Sequence, residues 1–349
     1  MKKLISLTLA AAMTMSLLAG CGSNGSAGTD SADASAETFK IGGIGPITGA
    51  GAVYGIAVKN GAELAIKEIN EAGGINGYQI EYNFQDDELD NEKSVNAYNT
   101  LKDWGMNMLV GSVTSGCCVA VAAESKNDNM FQITPSGSSV DCIEGNDNVF
   151  QVCFTDPNQG VGAADYIGEN GLASKVAVIY DSSDVYSSGI YAKFKEEAAT
   201  QNFEIVSEEA FTADNKTDFS VQLAKAQEAG AELVFLPIYY TEASLILKQA
   251  DSMGYAPKFF GCDGLDGILG VENFDTSLAE DVMLLTPFAA DAQDDLTKKF
   301  VSAYETAYND TPNQFAADAY DAVYAIKAAA EKGDVAPSDG VSGICDKMK

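Results

Sequence analysis

The chain has 349 residues, 46% of them hydrophobic, which allows two domains with sizeable cores. Lys plus Arg number 21 against 51 Asp plus Glu, a net charge of −30, which excludes the basic footprint of a nucleic-acid binder and disfavours direct docking on anionic lipid. Histidine is absent, which removes His-based triads, His metal sites and the commonest general base.

The N-terminus reads as an export signal. Lys2-Lys3 precedes a mostly apolar run from Leu4 to Leu18, too short for a firm membrane span. Leu18-Ala19-Gly20-Cys21 follows and resembles a bacterial lipobox, in which the cysteine is lipidated and becomes the first mature residue. Residues 1–21 are thus expected to be a lipoprotein signal peptide, with Cys21 the lipidation site. Residues 22–38, rich in Gly, Ser, Ala and Asp, would bury no core and read as a flexible tether. The expected location is extracytoplasmic, anchored to the outer face of the cell membrane or on its periplasmic side.

A strand, Phe39–Ile44, opens the fold, and a Gly-rich loop leads into helical spacing from Tyr54 to Glu71, stopped by Gly73-Gly74. The loop is a poor nucleotide site. Thr48 stands where a dinucleotide fingerprint needs a small residue, Pro46 lacks an amide donor, and no GxxxxGK[ST] occurs. Tyr78–Gln85 alternates as a strand and precedes a helix from about Glu92 to Trp104. Between them Asp86-Asp87-Glu88-Leu89-Asp90 has the wrong spacing for an EF-hand and suits helix capping better. Met108–Val113 and Met130–Thr134 are apolar runs separated by a helical segment. Each ends in a small polar loop, Thr114-Ser115-Gly116 and Pro135-Ser136-Gly137-Ser138-Ser139. A right-handed parallel crossover puts both loops at one sheet edge, where α/β sheets bind ligands and helix N-termini favour anions.

Val149–Phe154 is a further strand, and Thr155–Gly160 reads as a turn-rich break where the chain first crosses between lobes. The alternation then restarts. Strands are expected at Lys175–Tyr180, Glu204–Phe211, Leu233–Tyr239 and Lys258–Cys262, with helices at Asp184–Thr200, Phe219–Ala229 and Glu242–Met253. Val282–Thr286 and Pro287 read as the return crossing, followed by helices at Asp291–Asn309 and Gln314–Lys332. The fold class is α/β: two doubly wound, Rossmann-like lobes, an N-terminal one from 39–155 plus 287–349 and a C-terminal one from 156–286.

Six cysteines follow Cys21: Cys117, Cys118, Cys142, Cys153, Cys262 and Cys345. Export permits disulfides, and Cys142 with Cys153 is the candidate pair because ten intervening residues allow a hairpin-like return. Cys117-Cys118 lies at a helix start, where a thiol can be activated; packing of small residues is the plainer role. No CxxC spacing supports zinc, and neither metal nor cofactor is expected.

This order of motifs resembles the type I periplasmic binding proteins, in particular the branched-chain amino-acid (leucine/isoleucine/valine) binding proteins of ABC importers, over about residues 39–345. The resemblance is carried by GPITG-x4-YG (Gly45–Gly55), EINEAGGINGYQIE (Glu68–Glu81), DDE (Asp86–Glu88), LVGSVTS (Leu109–Ser115), ITPSGSS (Ile133–Ser139), Gln159-Gly160, Tyr239-Tyr240 and the Gly261-x-Asp263-Gly264 turn. It implies two lobes that close over a ligand about three hinge crossings. It also implies that Ser115 holds the ligand α-carboxylate, that the Ser136-Gly137-Ser138 loop takes the ammonium with Ser138 touching both ends, and that Asp263 pairs with the ammonium. Tyr54, Tyr186 and Tyr239 match its aromatic walls. Each has a plainer alternative: helix cap for Ser115, turn former for Ser136, Ser138 and Asp263, packing for the tyrosines.

Two departures stand out. The disulfide that family members can carry between the positions of Leu89 and Thr114 is absent, and the family continues for some tens of residues past a position like Lys349, so a truncated C-terminus is expected. The function implied is a monomeric, lipid-anchored solute-binding protein, not an enzyme, that delivers a small branched-chain amino acid (leucine, isoleucine or valine) to the permease subunits of an ABC importer. The alternatives are a different small ligand (an amide, urea or aromatic acid), a ligand-sensing ectodomain, or an exported enzyme, for which only Cys117 or a Ser–Lys pair remains without histidine.

Overall fold

The computed structural model describes residues 37–349. Cys21, the signal segment and all but the last two residues of the expected tether lie outside the described residues. The first half of the chain builds one sheet. Strand β1 (Phe39–Gly45) leads to helix α1 (Ala52–Glu71), β2 (Ile80–Asp86), α2 (Asn91–Trp104), β3 (Met108–Val110), α3 (Ser115–Asp128), β4 (Phe131–Thr134) and β5 (Val149–Gln151). All strand pairs are parallel, in the order β2-β1-β3-β4-β5. The chain then enters α4 (Asp156–Glu169), followed by β6 (Lys175–Asp181), α5 (Val185–Ala198), β7 (Glu204–Phe211), α6 (Ser220–Glu228), β8 (Leu233–Leu236), α7 (Tyr240–Ser252), β9 (Lys258–Gly261) and β10 (Met283–Leu284). These form a second parallel sheet, β10-β9-β8-β6-β7. Helices α8 (Asp295–Tyr308), α9 (Gln314–Lys332) and α10 (Gly340–Met348) complete the described chain.

Strands buried on both faces need continuous apolar sequence, and β8 (LVFL) and the VAVI core of β6 supply it with every residue buried. The long helix α1 is laid against β1 by Ala57, Val58, Ala62, Leu64, Ala65 and Ile69, while α9 packs along its other side. The two helices touch backbone to side at Gly61, where a Cβ would overlap the Ala316 carbonyl. Helix α2 starts at Asp90, whose carboxylate accepts the Lys93 amide at 2.9 Å, and ends at Gly105 in a left-handed conformation (φ 88°).

One helix is not expected from the sequence. The stretch Thr155–Gly160 is the first turn of α4 and not a break. Pro157 sits in the opening turn, where its missing amide costs nothing. Gly160 is there for packing: a Cβ would lie 2.6 Å from the Ile190 carbonyl oxygen of α5.

The Cys142–Cys153 bridge does not form. All six described cysteines are free and buried. The residues after Cys142 run into β5, which pairs parallel with β4, so no hairpin brings the two sulfurs together. Cys142 instead turns toward α3, its sulfur 3.8 Å from the Ser115 carbonyl oxygen.

Candidate ligand-binding site

Each sheet reverses its strand order at one point, between β1 and β3 in the first and between β6 and β8 in the second. Loops leaving the carboxyl ends at such a switch point diverge and leave a crevice. The residues that line one small cavity between the sheets come from these loops and helix starts. Tyr54 lies just after β1, Val113, Thr114 and Ser115 after β3, and Ser136 after β4. Tyr186 follows β6, Tyr239 follows β8, and Asp263 and Gly264 follow β9; Phe315 of α9 closes the set. The sequence reading named six of these ten: Tyr54, Ser115, Ser136, Tyr186, Tyr239 and Asp263. Gly137 and Ser138 stand behind the lining. Phe315 carried no sequence signal beyond being an apolar residue at the start of a helix.

On the first-sheet side, Ser115 is the first residue of α3 and is 2% exposed. Its Oγ accepts the Ser139 amide at 3.1 Å, which ties the two serine loops together and leaves the hydroxyl hydrogen to point elsewhere. The Ser136 hydroxyl is used within the loops, donating to the Val113 carbonyl at 2.7 Å. The Gly137 amide donates to Thr134 Oγ1 at 2.7 Å, and its carbonyl accepts from Gln151 Nε2 at 2.6 Å. Both backbone groups of Gly137 therefore hold the loop. The start of α3 supplies a positive dipole end and free amides, the physical basis of an anion site.

The second-sheet side is acidic and aromatic. Asp263, 3% exposed, receives the Tyr186 hydroxyl on Oδ1 at 2.7 Å. The same hydroxyl accepts the Gly264 amide at 2.9 Å. Burial pushes the Asp263 carboxyl up to about 6, against the pull of the Tyr186 hydroxyl and the Gly264 amide. Gly264 is required, because a Cβ there would sit 2.6 Å from Tyr186 Oη and 2.8 Å from the Ile238 carbonyl. Tyr186 stacks on Tyr239 with centroids 5.0 Å apart and planes 6° from parallel.

Tyr54 joins the two sides. Its hydroxyl donates to the Gly264 carbonyl and accepts the Tyr240 amide at 3.1 Å. Its ring packs edge-on to Tyr239 and Tyr240 and against Phe315. Val53 N–H to Tyr240 Oη at 3.1 Å and Thr241 Oγ1 to the Ala50 carbonyl at 2.7 Å add to this seam. With the seam formed, the cavity is only about 10 Å³, room for one water. A wider cleft of about 410 Å³ begins at Thr114 and Tyr239 and is bordered by Asp90, Asp184 and Glu242. Among the described residues no basic side chain lines the inner cavity, and no group of His, Cys, Asp and Glu is arranged to hold a metal.

Two residues that the sequence reading left without a role stand beside this site. Asp156 opens α4, is 1% exposed, and neither of its carboxyl oxygens has a hydrogen-bond partner among the described residues. Gln159, one helical turn on, accepts the Asp263 amide on its Oε1 at 3.1 Å, while its Nε2 has no partner among the described residues. The signal that could have found them is a polar pair three apart at a helix start, which is hidden once Pro157 and Gly160 are read as breakers.

The comparisons with known proteins agree with this architecture. The family model for periplasmic binding proteins matches residues 38–345. The Leu/Ile/Val-binding protein homolog 3 of Brucella melitensis is 33% identical over 308 residues, covering 86% of this chain and 81% of its own length. The leucine-, isoleucine-, valine-, threonine- and alanine-binding protein of Pseudomonas aeruginosa is 31% identical over 321 residues, covering 90% of this chain and 84% of its own. Among solved structures, the branched-chain amino acid transporter substrate binding protein of Streptococcus pneumoniae in complex with isoleucine superposes with a TM-score of 0.80. It is 31% identical, covering 89% of this chain and 88% of its own. The chain belongs to the periplasmic binding protein family, in the group that contains the Leu/Ile/Val-binding proteins.

Proposed function

We propose that this protein binds a branched-chain amino acid, leucine, isoleucine or valine, between its two halves and presents it to the permease subunits of an ABC importer. The observation that carries this reading is the opposition of two unlike walls across one small cavity. Ser115 and the amino end of α3 suit a carboxylate, and Asp263, held by Tyr186, suits an ammonium. The tyrosines and Phe315 between them offer an apolar seat for an aliphatic side chain. Relatives named for leucine, isoleucine and valine binding, two of them above 30% identity over most of both chains, favour the same class. An aromatic acid or a urea would leave Asp263 without a cationic partner.

The ligand enters by opening. A cavity with room for one water cannot admit an amino acid until the Tyr54–Gly264–Tyr240 seam parts, so binding is coupled to hinge closure about the crossings. No covalent step is involved. Cys117, the one cysteine nucleophile an enzyme here could use, is buried, and burial together with the Asp87 charge pushes its thiol up to about 12. A lipid anchor at Cys21, an extracytoplasmic location, a monomeric state and permease partners complete the proposal. Ser138 supports the carboxylate wall from behind the lining, and Tyr54, Tyr186 and Tyr239 shape the side-chain pocket.

Isothermal titration of the purified chain with each amino acid is the test. Leucine, isoleucine and valine should bind with micromolar or tighter affinity, and 4-methyl-2-oxopentanoate, which keeps the leucine skeleton but lacks the ammonium, should bind far more weakly. Absence of binding by all three amino acids would end the branched-chain assignment.

A further inference from the structure

The inner cavity and the wider cleft meet at Thr114 and Tyr239, the two residues that line both. Thr114 is unusual for its position. It caps the start of α3, where a threonine hydroxyl ordinarily accepts an amide of the first turn, yet it makes no such bond. It is 5% exposed, and its Oγ1 has no hydrogen-bond partner among the described residues. A buried hydroxyl without a partner is costly, and this one stands where a side chain leaving the inner cavity would pass.

Beyond it lies the cleft, whose volume of about 410 Å³ is that of a small-molecule pocket. Its walls are of two kinds. Leu89, Phe211 and Ile238 make an apolar lining. Asp90, Glu92, Asp181, Asp184 and Glu242 set their carboxylates against a single cation on the lining, Lys216. Glu242 is 6% exposed, and buried acids are rare unless closely paired. Its partner is loose, since Lys216 Nζ lies 3.4 Å from Oε1. Asp90 and Asp184 each give one oxygen to a helix start, accepting the Lys93 amide at 2.9 Å and the Ser187 amide at 3.3 Å. A carboxylate has a second oxygen to offer. An apolar stem that ends in a positive charge matches both kinds of wall.

We propose that this cleft is a side-chain subsite for amino acids that end in a cation, arginine and lysine. The α-amino-acid head occupies the inner cavity, the stem passes Thr114 and Tyr239 along Leu89 and Ile238, and the guanidinium or ammonium ends beside Asp184 and Glu242. In arginine the Nε–H, at the end of the three-carbon stem, is a donor for Thr114 Oγ1. The subsite rests on the amino-acid reading above and extends it past leucine, isoleucine and valine, whose side chains stop among the tyrosines and Phe315.

Calorimetric titration of the full chain with arginine, citrulline and leucine reads the subsite. Citrulline keeps the length and shape of arginine without its charge. Arginine should bind at least about tenfold more tightly than citrulline, by a margin that narrows as salt is raised. Glu242→Gln should weaken arginine at least about tenfold, and Lys216→Met, which removes the competing cation, should tighten it, while leucine affinity stays within about twofold in both. Arginine binding no tighter than citrulline, or a loss in Glu242→Gln that leucine shares equally, overturns the subsite. Arginine binding that follows this pattern while leucine, isoleucine and valine fail to bind overturns the branched-chain reading and upholds the subsite. If none of these ligands binds to a chain that circular dichroism shows to be folded, the amino-acid reading fails and the subsite falls with it.

Discussion

Asp263 shows how one side chain is made specific by its neighbours. Tyr186 donates to its carboxyl and takes the Gly264 amide in return, so a single hydroxyl fixes both the acid and the turn that carries it. Across the cavity Ser115 is held by the Ser139 amide. A hydrogen bond to a charged group contributes about 1.5–3 kcal/mol, and every 1.4 kcal/mol is tenfold in affinity. Ser115→Ala and Asp263→Ala should each weaken leucine binding at least about tenfold in calorimetry, with the melting temperature of the ligand-free protein near that of the parent. Unchanged affinity in both variants would remove the site from this cavity. Side chains of this kind were legible in the sequence because each stands just after an apolar run that ends in small polar residues. Asp156 and Gln159 were not, because the first turn of α4 contains the two residue types that most often end helices. Gly137 and Ser138 were named with their loop, yet the loop turns its own hydrogen bonds inward on Thr134 and Gln151, a consequence of packing that spacing alone does not reveal.

At the scale of elements, alternating apolar runs and amphipathic segments marked nearly all the strands and most of the helices, because a parallel sheet needs buried strands and covering helices in strict alternation. Ends were less legible. β3 stops at Val110, three residues short of its apolar run, and β10 is only Met283–Leu284. Caps decide such ends, and Asp90 is a clear case. It was read from the acidic stretch as a cap, and it accepts the Lys93 amide at the start of α2. Asp90→Ala should cost about 1 kcal/mol, visible as a lower urea midpoint with an unchanged slope; a stability equal to the parent's would show that the cap is not used. The α1–α9 contact follows a different rule. Gly61 was read only as part of a helix, but the Ala316 carbonyl occupies the space of its missing side chain. Close approach between elements far apart in sequence leaves no local mark.

Across the whole molecule, the excess of acid sets an unusual pH response. Asp156 and Asp263 have their carboxyls pushed up to about 8 and about 6 by burial. Between pH 4 and 8 the ligand-free folded state therefore holds protons that the unfolded chain has lost. With more protons bound in the folded state, stability falls as pH rises through this window. The carboxyls held low by their partners, such as Asp86 beside Thr48 and Asp128 beside Lys102, titrate below it. The urea midpoint of the ligand-free protein should be higher at pH 5.5 than at pH 8.5; the reverse order would mean that these two acids are solvated in solution. The placement of the aromatic residues has an optical consequence. The single tryptophan, Trp104, ends α2, and that helix begins at Asn91 on the rim of the cleft. At 1.5 Å per residue this puts the indole about 20 Å from the cleft, under Lys40. Its emission should stay constant when a ligand binds. The parallel Tyr186–Tyr239 pair, and Tyr54 set edge-on against it, should instead report closure in near-ultraviolet circular dichroism, so the protein announces its ligand through tyrosine.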